Sequence, residues 1–462
     1  MLEKYFAIGI YLVLLTLITW LSARHKNVGD FLFASHDVSW KNLSVSIFAS
    51  TVSSYNVVLT ITFAFIFGPY ILLVFLGALA AFVGIYLIVK KYKDIIQERG
   101  FNNIIDFFAH KFDSKTATIL NLAFILVLFI FIILQFFINT SIFYEIMGWN
   151  KYTSSIVIGG IVLVYTTIGG LKTEIYTDIF QGILMFLIVA LVFMVDTSVI
   201  TSQTIGKILA DKKIIVSAIA LAIAQFLTLL IQPEMWQRVV AARSIKDIKK
   251  GFIVAWVLLT LFIIPLIIIG ISARASNTIQ DPSNLFYDIL ATSAPVWFLP
   301  ILVVGLFTAF MSTLDSSLFA IASQLGKYGF IVRRGEHEKK NKREYDRSIA
   351  KNTRVSIVVV TILALIASLF LADFLSVVFG LISLMTVISV AVLWSLIFKP
   401  SSNESFAAIL VGISAFISML FGGLITQEAL TSLYPSFVLV GYLLLQTLGI
   451  RIFQVNFRRK IT

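Results

Sequence analysis

The stretch LFTAFMSTLDSSL, Leu306 to Leu318, sets a cluster of polar groups inside a long apolar run. Thr308, Ser312, Thr313, Asp315, Ser316 and Ser317 all fall within the otherwise apolar segment 296–326. A helix needs about 20 mostly apolar residues to cross the hydrocarbon core, so this segment is long enough to span and too polar to face lipid on every side. In a helix, Ser312, Asp315 and Ser316 share one face through their i, i+3 and i+4 spacing, and that face takes in Ala309 and, at its edge, Thr313. Such a face carries only hard oxygen donors, which suit alkali and alkaline-earth cations rather than transition metals. One or two carboxylates among several hydroxyls favour a weakly held, exchangeable monovalent ion. The plainer alternative is that each hydroxyl bonds back to its own helix.

The rest of the chain fits the same solvent. Of 462 residues, 59% are hydrophobic and 13% charged, against roughly 25% charged in soluble domains. A mean hydropathy of +0.97 and 41 Phe would leave very large apolar patches on a water-soluble fold. With no Cys and only four His, disulfides, thiolate catalysis and zinc or iron–sulfur centres drop out, and no enzyme constellation emerges. The expected class is an all-α polytopic membrane protein, its partners a lipid bilayer and a small-molecule solute, with no nucleic acid and no evident obligate protein partner.

Thirteen spans are expected, near 4–23, 42–67, 70–90, 116–147, 152–171, 174–199, 213–235, 251–273, 296–326, 354–373, 375–398, 405–425 and 431–453. With the N-terminus outside, about thirty Lys and Arg fall on the inner face and six on the outer, which orients the chain in a cell membrane with its C-terminus cytoplasmic. Glu3 and Lys4 precede the first span without a basic run, so it reads as a retained helix rather than a cleaved signal. Segment 94–114 reads as an interfacial amphipathic helix, and the mixed-charge run RRGEHEKKNKREYDR as a solvated cytoplasmic loop or helix extension.

Two more spans carry unusual polarity. The second holds Ser44, Ser46, Ser50, Thr51, Ser53, Ser54, Tyr55 and Asn56, with no Gly or Pro between Lys41 and Phe67 to announce a break. The sixth holds Asp178, about 9 Å past Lys172, whereas Asp315 lies about 17 Å from its own cytoplasmic end; tilt can bring the two together. Gln135, Asn139, Thr140, Gln225, Thr228, Ser383 and Thr386 either line a solute cavity or bond helix to helix. Glu234 stands four residues before Arg238, the order that favours a salt bridge at the inner interface. No Lys or Arg stands in the middle of any span, which argues against a strongly anionic cargo.

GGLKTEIYTDIFQG (Gly169–Gly182), IQPEMWQRVVAARSIKDIKKG (Ile231–Gly251) and LFTAFMSTLDSSL, with DFLFA and ASTVS near the N-terminus, resemble segments of the sodium:solute symporter family. The resemblance runs over nearly the whole chain and implies a leucine-transporter-like fold. Two inverted five-helix repeats, 42–199 and 213–398, would follow a leading helix, 4–23, and precede two trailing helices, 405–453. It implies Na+ as coupling ion, held by the carbonyls of Ala49, Val52 and Ala309 and the hydroxyls of Ser312 and Thr313. A second sodium site would use Asp178, Ser312, Asp315 and Ser316. The solute would sit among Ser53, Ser54, Tyr55, Asn56, Gln135, Gln225, Thr228 and Ser383. The function implied is sodium-driven uptake of a small neutral or zwitterionic solute, an amino acid ahead of a sugar. The alternatives are a proton-coupled carrier using Asp178 and Asp315, or a non-transporting solute sensor of the same fold.

Overall fold

The computed structural model describes residues 2–23, 31, 34–99, 104–276, 285–332 and 342–459. Asp30 of the N-terminal motif and residues 333–341 of the mixed-charge loop lie outside them. The first half of the chain folds as α1 (Leu2–Ala23), α2 (Trp40–Thr51), α3 (Ser54–Phe67), α4 (Leu72–Arg99), α5 (Ile104–Lys111), α6 (Ser114–Met147), α7 (Lys151–Ile168) and α8 (Leu171–Val189). The second half adds α9 (Ser202–Ala210), α10 (Lys212–Ile231), α11 (Pro233–Ala241), α12 (Ile245–Ala275), α13 (Leu285–Ser293), α14 (Leu299–Tyr328), α15 (Lys342–Leu369), α16 (Phe374–Phe398), α17 (Ser402–Phe421) and α18 (Tyr434–Arg459).

Twelve stretches among the described residues are long and apolar enough to cross a membrane. One of them, Ser54–Tyr92, joins α3 to α4 through the tight turn Gly68–Ile71. Dividing it there, and taking α2 and α3 as halves of one interrupted helix, recovers the thirteen crossings expected. In hydrocarbon every backbone group needs an internal partner, which is why helices alone make these crossings. Their ends are closed by side chains: Asp113 accepts from the Thr116 N–H, Asp211 from Lys213, and Ser401 forms a reciprocal pair with Glu404.

Two differences from the expected spans matter. Within 94–114 the described residues fall in two helices, the end of α4, which runs to Arg99 past a non-helical Tyr92, and the short α5; residues 100–103 lie outside the described residues. Lys327 of α14 bonds Asp106 at 2.8 Å, and Tyr328 bonds the same carboxylate, so α5 is tied to the C-terminal end of the central helix. The expected seventh span also divides, with α10 ending at Ile231 and α11 beginning at Pro233. Pro233 has no N–H to continue the ladder, so the helix restarts there.

Burial ranks the helices. The most apolar window of α14 is 89% buried and that of α16 72%, against 22% for α1. The polar stretch read first is therefore the centre of the bundle. Its periphery exposes Val13, Leu17, Val83, Leu87, Ile156, Val164 and Ile183, an apolar coat whose solvent is lipid. Close approach is built in at two glycines. A Cβ at Gly77 would collide with the Ala222 carbonyl, and one at Gly270 with the Ile61 carbonyl, so α4 meets α10 and α12 meets α3 nearly backbone to backbone.

Candidate binding site

The interruption between α2 and α3 arises from side chains. Val52 (φ −88°, ψ 98°) and Ser53 (φ −106°, ψ 161°) are extended. β-Branched Thr51 and Val52 tolerate that conformation well. The Ser53 hydroxyl accepts from the Asn56 N–H at 3.0 Å, capping α3, and the Asn56 side chain donates to the Thr51 carbonyl at 2.6 Å. The last carbonyls of α2 are thus released from the helical ladder. Opposite them, the Thr313 hydroxyl of α14 lies 3.3 Å from the Ser50 carbonyl and 3.4 Å from the Val52 carbonyl. These separations exceed the usual 2.5–3.0 Å for O–H···O. Uncharged, hard oxygens held slightly apart around one point fit a monovalent cation.

Of the five residues implied for the main cation site, Val52 and Thr313 are brought together here. Ala49 and Ala309 are fully buried nearby in sequence, and the Ser50 carbonyl joins the group. Ser312 turns elsewhere, donating to Asp178 Oδ1 at 2.6 Å.

One turn away lies a charged corner. Arg238 of α11 is fully buried. Its Nη2 lies 2.7 Å from Glu174 Oε1, 2.8 Å from Asp178 Oδ2 and 2.7 Å from Ser316 Oγ, and its Nε donates to Ser46 at 2.9 Å. Ser46 also bonds Asp178. The expected Glu234–Arg238 side-chain pair does not form. Arg238 touches residue 234 only through its backbone carbonyl, 3.3 Å from Nη1, because Glu174 and Asp178 of α8 offer a carboxylate pair on the other side. No Lys or Arg stands in the middle of a span, yet Arg238, just past the end of the seventh, is fully buried against α8. Of the four residues implied for a second sodium site, Asp178 and Ser316 converge on this guanidinium, and Ser312 reaches it only through the other oxygen of Asp178. Asp315 stands beside them, accepting from the Ser316 N–H at 2.8 Å with one oxygen while the other has no partner among the described residues.

On the other side of the interruption, α3, α4, α6, α10, α11, α12 and α16 enclose a cavity of about 200 Å³. Of the residues expected around the solute, Tyr55, Asn56, Gln225 and Thr228 line it. Ser53, Ser54, Gln135 and Ser383 do not: Ser53 caps α3 and Ser54 bonds Asn139 at 2.8 Å, while the buried Gln135 amide and Ser383 hydroxyl have no partner among the described residues. Gln232 and Glu234 line the cavity and were missed. The signal was present in the IQPE sequence, where a proline next to two polar residues marks an interrupted span.

Twin interrupted helices, a carbonyl-rich gap and a central cavity are features of membrane carriers. The chain belongs to the sodium:solute symporter family, whose model matches residues 31–412. It is therefore a multi-pass membrane transporter of a small solute, from a family coupled to sodium. It is 22% identical to a sodium/sialic acid symporter of Proteus mirabilis over 68% of this chain and 68% of that one. It is 25% identical to a high-affinity proline transporter of Bacillus subtilis over 52% of this chain, an alignment spanning about half (53%) of that relative. A solved substrate-bound, outward-open Na+-coupled sialic acid symporter superposes with a TM-score of 0.79 at 18% identity, covering 95% of each chain. A nucleobase-cation-symport-1 transporter in a closed conformation superposes with a TM-score of 0.52 at 12% identity, over 91% of this chain and 94% of that one. These likenesses carry the leucine-transporter-like fold.

Proposed function

We propose that the protein imports a small zwitterionic solute across a cell membrane, driven by one sodium ion per cycle, with its N-terminus outside and its C-terminus in the cytoplasm. The observation that carries this reading is the gap between α2 and α3, where the Ser50 and Val52 carbonyls face the Thr313 hydroxyl. A sodium ion there, ligated by Val52, Thr313 and neighbouring oxygens including those of Ser50, Ala49 and Ala309, joins the interrupted helix to α14, while Ser312 stays on Asp178. Residues just past the same gap, Tyr55 and Asn56, form the cavity wall, so ordering the gap orders the solute site. Coupling is then reciprocal: solute tightens sodium as much as sodium tightens solute.

A single sodium is supported by the charged corner. A tethered guanidinium already supplies a positive charge to Asp178 and Ser316, and a second cation beside it would meet direct repulsion. One sodium crossing about 100 mV contributes roughly 2.3 kcal/mol, and an assumed tenfold gradient about 1.4 kcal/mol. Together they sustain accumulation of about 500-fold. The five-helix repeats 42–199 and 213–398 are read as the two halves that rock about this site, each opening with an interrupted helix.

The test uses sealed proteoliposomes offered a mixture of radiolabelled free amino acids. Saturable accumulation under an inward sodium gradient, lost when choline replaces sodium at fixed pH, is expected. Equal uptake in choline driven by a pH gradient would establish proton coupling instead. Binding without any flux would establish a sensor.

A further inference from the structure

Glu234 is a carboxylate whose charge the protein leaves half answered. It is 3% exposed, yet it belongs to the wall of the central cavity. Oε1 accepts from the Ser317 hydroxyl of α14 at 2.6 Å, and Oε2 has no partner among the described residues. Arg238, the cation nearest in sequence, is occupied by Glu174 and Asp178. Among the described residues, the cavity wall contains no Lys or Arg and no other carboxylate. An unpaired carboxylate withdrawn from water costs several kcal/mol unless a cation or donors answer it, and the first turn of α11 offsets only part of that through the helix dipole.

We infer that the open oxygen of Glu234 receives the ammonium group of the transported solute, and that the cargo is a compact amine-bearing zwitterion or cation rather than a sugar or a carboxylate anion. The inference rests on the symport reading and deepens it by naming the cargo's chemistry. The surroundings suit such a group. Gln232, Asn56 and Thr228 supply neutral polar groups to the cavity wall that Glu234 shares, while Tyr55, Phe131 and Phe262 supply aromatic rings to it, and ring faces attract cations. Ser317 also bonds the Thr313 carbonyl at 2.9 Å, so the residue holding Glu234 lies one turn from the hydroxyl at the proposed sodium gap. A solute charge docked on Glu234 therefore acts on the helix that carries the ion site, without sharing its ligands.

The experiment measures thermal unfolding of the purified full chain with matched probes: alanine against propionate, leucine against 4-methylpentanoate, lysine, and glucose. Each is added in sodium and in potassium, to the wild type, Glu234→Gln and Glu234→Asp. Sodium alone is expected to stabilise all three proteins equally, which also verifies that the variants fold. In sodium, at least one amine probe should stabilise the wild type while its des-amino partner does not. Glu234→Gln should weaken that probe at least tenfold, and Glu234→Asp should fall between. Amine binding undiminished in Glu234→Gln overturns the inference. So does a wild type stabilised by propionate or glucose and by no amine. Absence of any sodium effect on the wild type would instead strike the symport reading, which separates the two failures.

Discussion

Two polar corners of the same bundle, both anchored on α14, are built on opposite electrostatic principles. At the α2–α3 gap, neutral carbonyls face the Thr313 hydroxyl and no fixed charge is within hydrogen-bonding distance of them. One turn away, Arg238 is clamped among Glu174, Asp178, Ser46 and Ser316. Neutral oxygens can release a cation at little cost, because no buried charge is left unpaired when it departs. The charged corner cannot lose its cation, since doing so would strand two carboxylates away from water. Exchangeable ion and permanent ion are thereby sorted to different corners. The same contrast distinguishes the two interrupted helices, one opened by Ser53 and Asn56, the other by Pro233.

The largest test breaks the permanent corner. Arg238→Met should cost about 3–5 kcal/mol by stranding Glu174 and Asp178, read as loss of thermal stability and of monodisperse protein. Adding Glu174→Gln and Asp178→Asn to that variant should restore much of the stability, as neutral partners no longer need the guanidinium. The next test addresses the exchangeable corner. Thr313→Ala should raise the sodium concentration for half-maximal uptake about tenfold, equivalent to about 1.4 kcal/mol, whereas Ser312→Ala should raise it less because that hydroxyl serves Asp178. Equal effects would show that Ser312 leaves Asp178 to ligate the ion.

A smaller effect is expected at the gap itself. Ser53→Ala removes the cap of α3 and should cost about 1 kcal/mol, measured as a lower unfolding temperature in potassium, where no sodium braces the gap. The smallest concerns a solvated carboxylate that contrasts with both corners. The Ser376 hydroxyl, with the Ser376 N–H and Gln427, holds Asp373 below the usual carboxylate range. Because its folded value is depressed, its contribution is present above the ordinary carboxylate value and fades as pH falls through the folded one. Asp373→Asn should accordingly lower stability slightly at neutral pH and converge with the wild type in strong acid.

Much of this architecture was legible in the chain. The hydroxyl face on α14, the polar density of the second span and the basic bias of the loops led to a polytopic helical membrane protein with oxygen donors on those two spans, and the family resemblance implied a carrier with its ion site between α2 and α14. The break at Val52–Ser53 was not announced by Gly or Pro, because it is made by hydroxyl and amide side chains that compete for backbone groups. Glu234 and Arg238 were misread as partners because i, i+4 spacing weighs only neighbours on one helix. Ser54 was expected around the solute and Asn139 either at a cavity or in a helix-to-helix bond, and folding joined the two to each other.

The amino-acid order by itself determined that this chain lives in a bilayer, how often it crosses, and which segments carry oxygen donors, since transfer of a segment from water to lipid sums over its own residues. Which charge answers which was decided only by folding. Arg238 and Asp178 are 60 positions apart, and no local rule ranks them above the nearer Glu234. Their pairing depends on distances between packed helices in a medium where each unanswered charge costs several kcal/mol. That is why one carboxylate oxygen, Oε2 of Glu234, was left with no partner among the described residues.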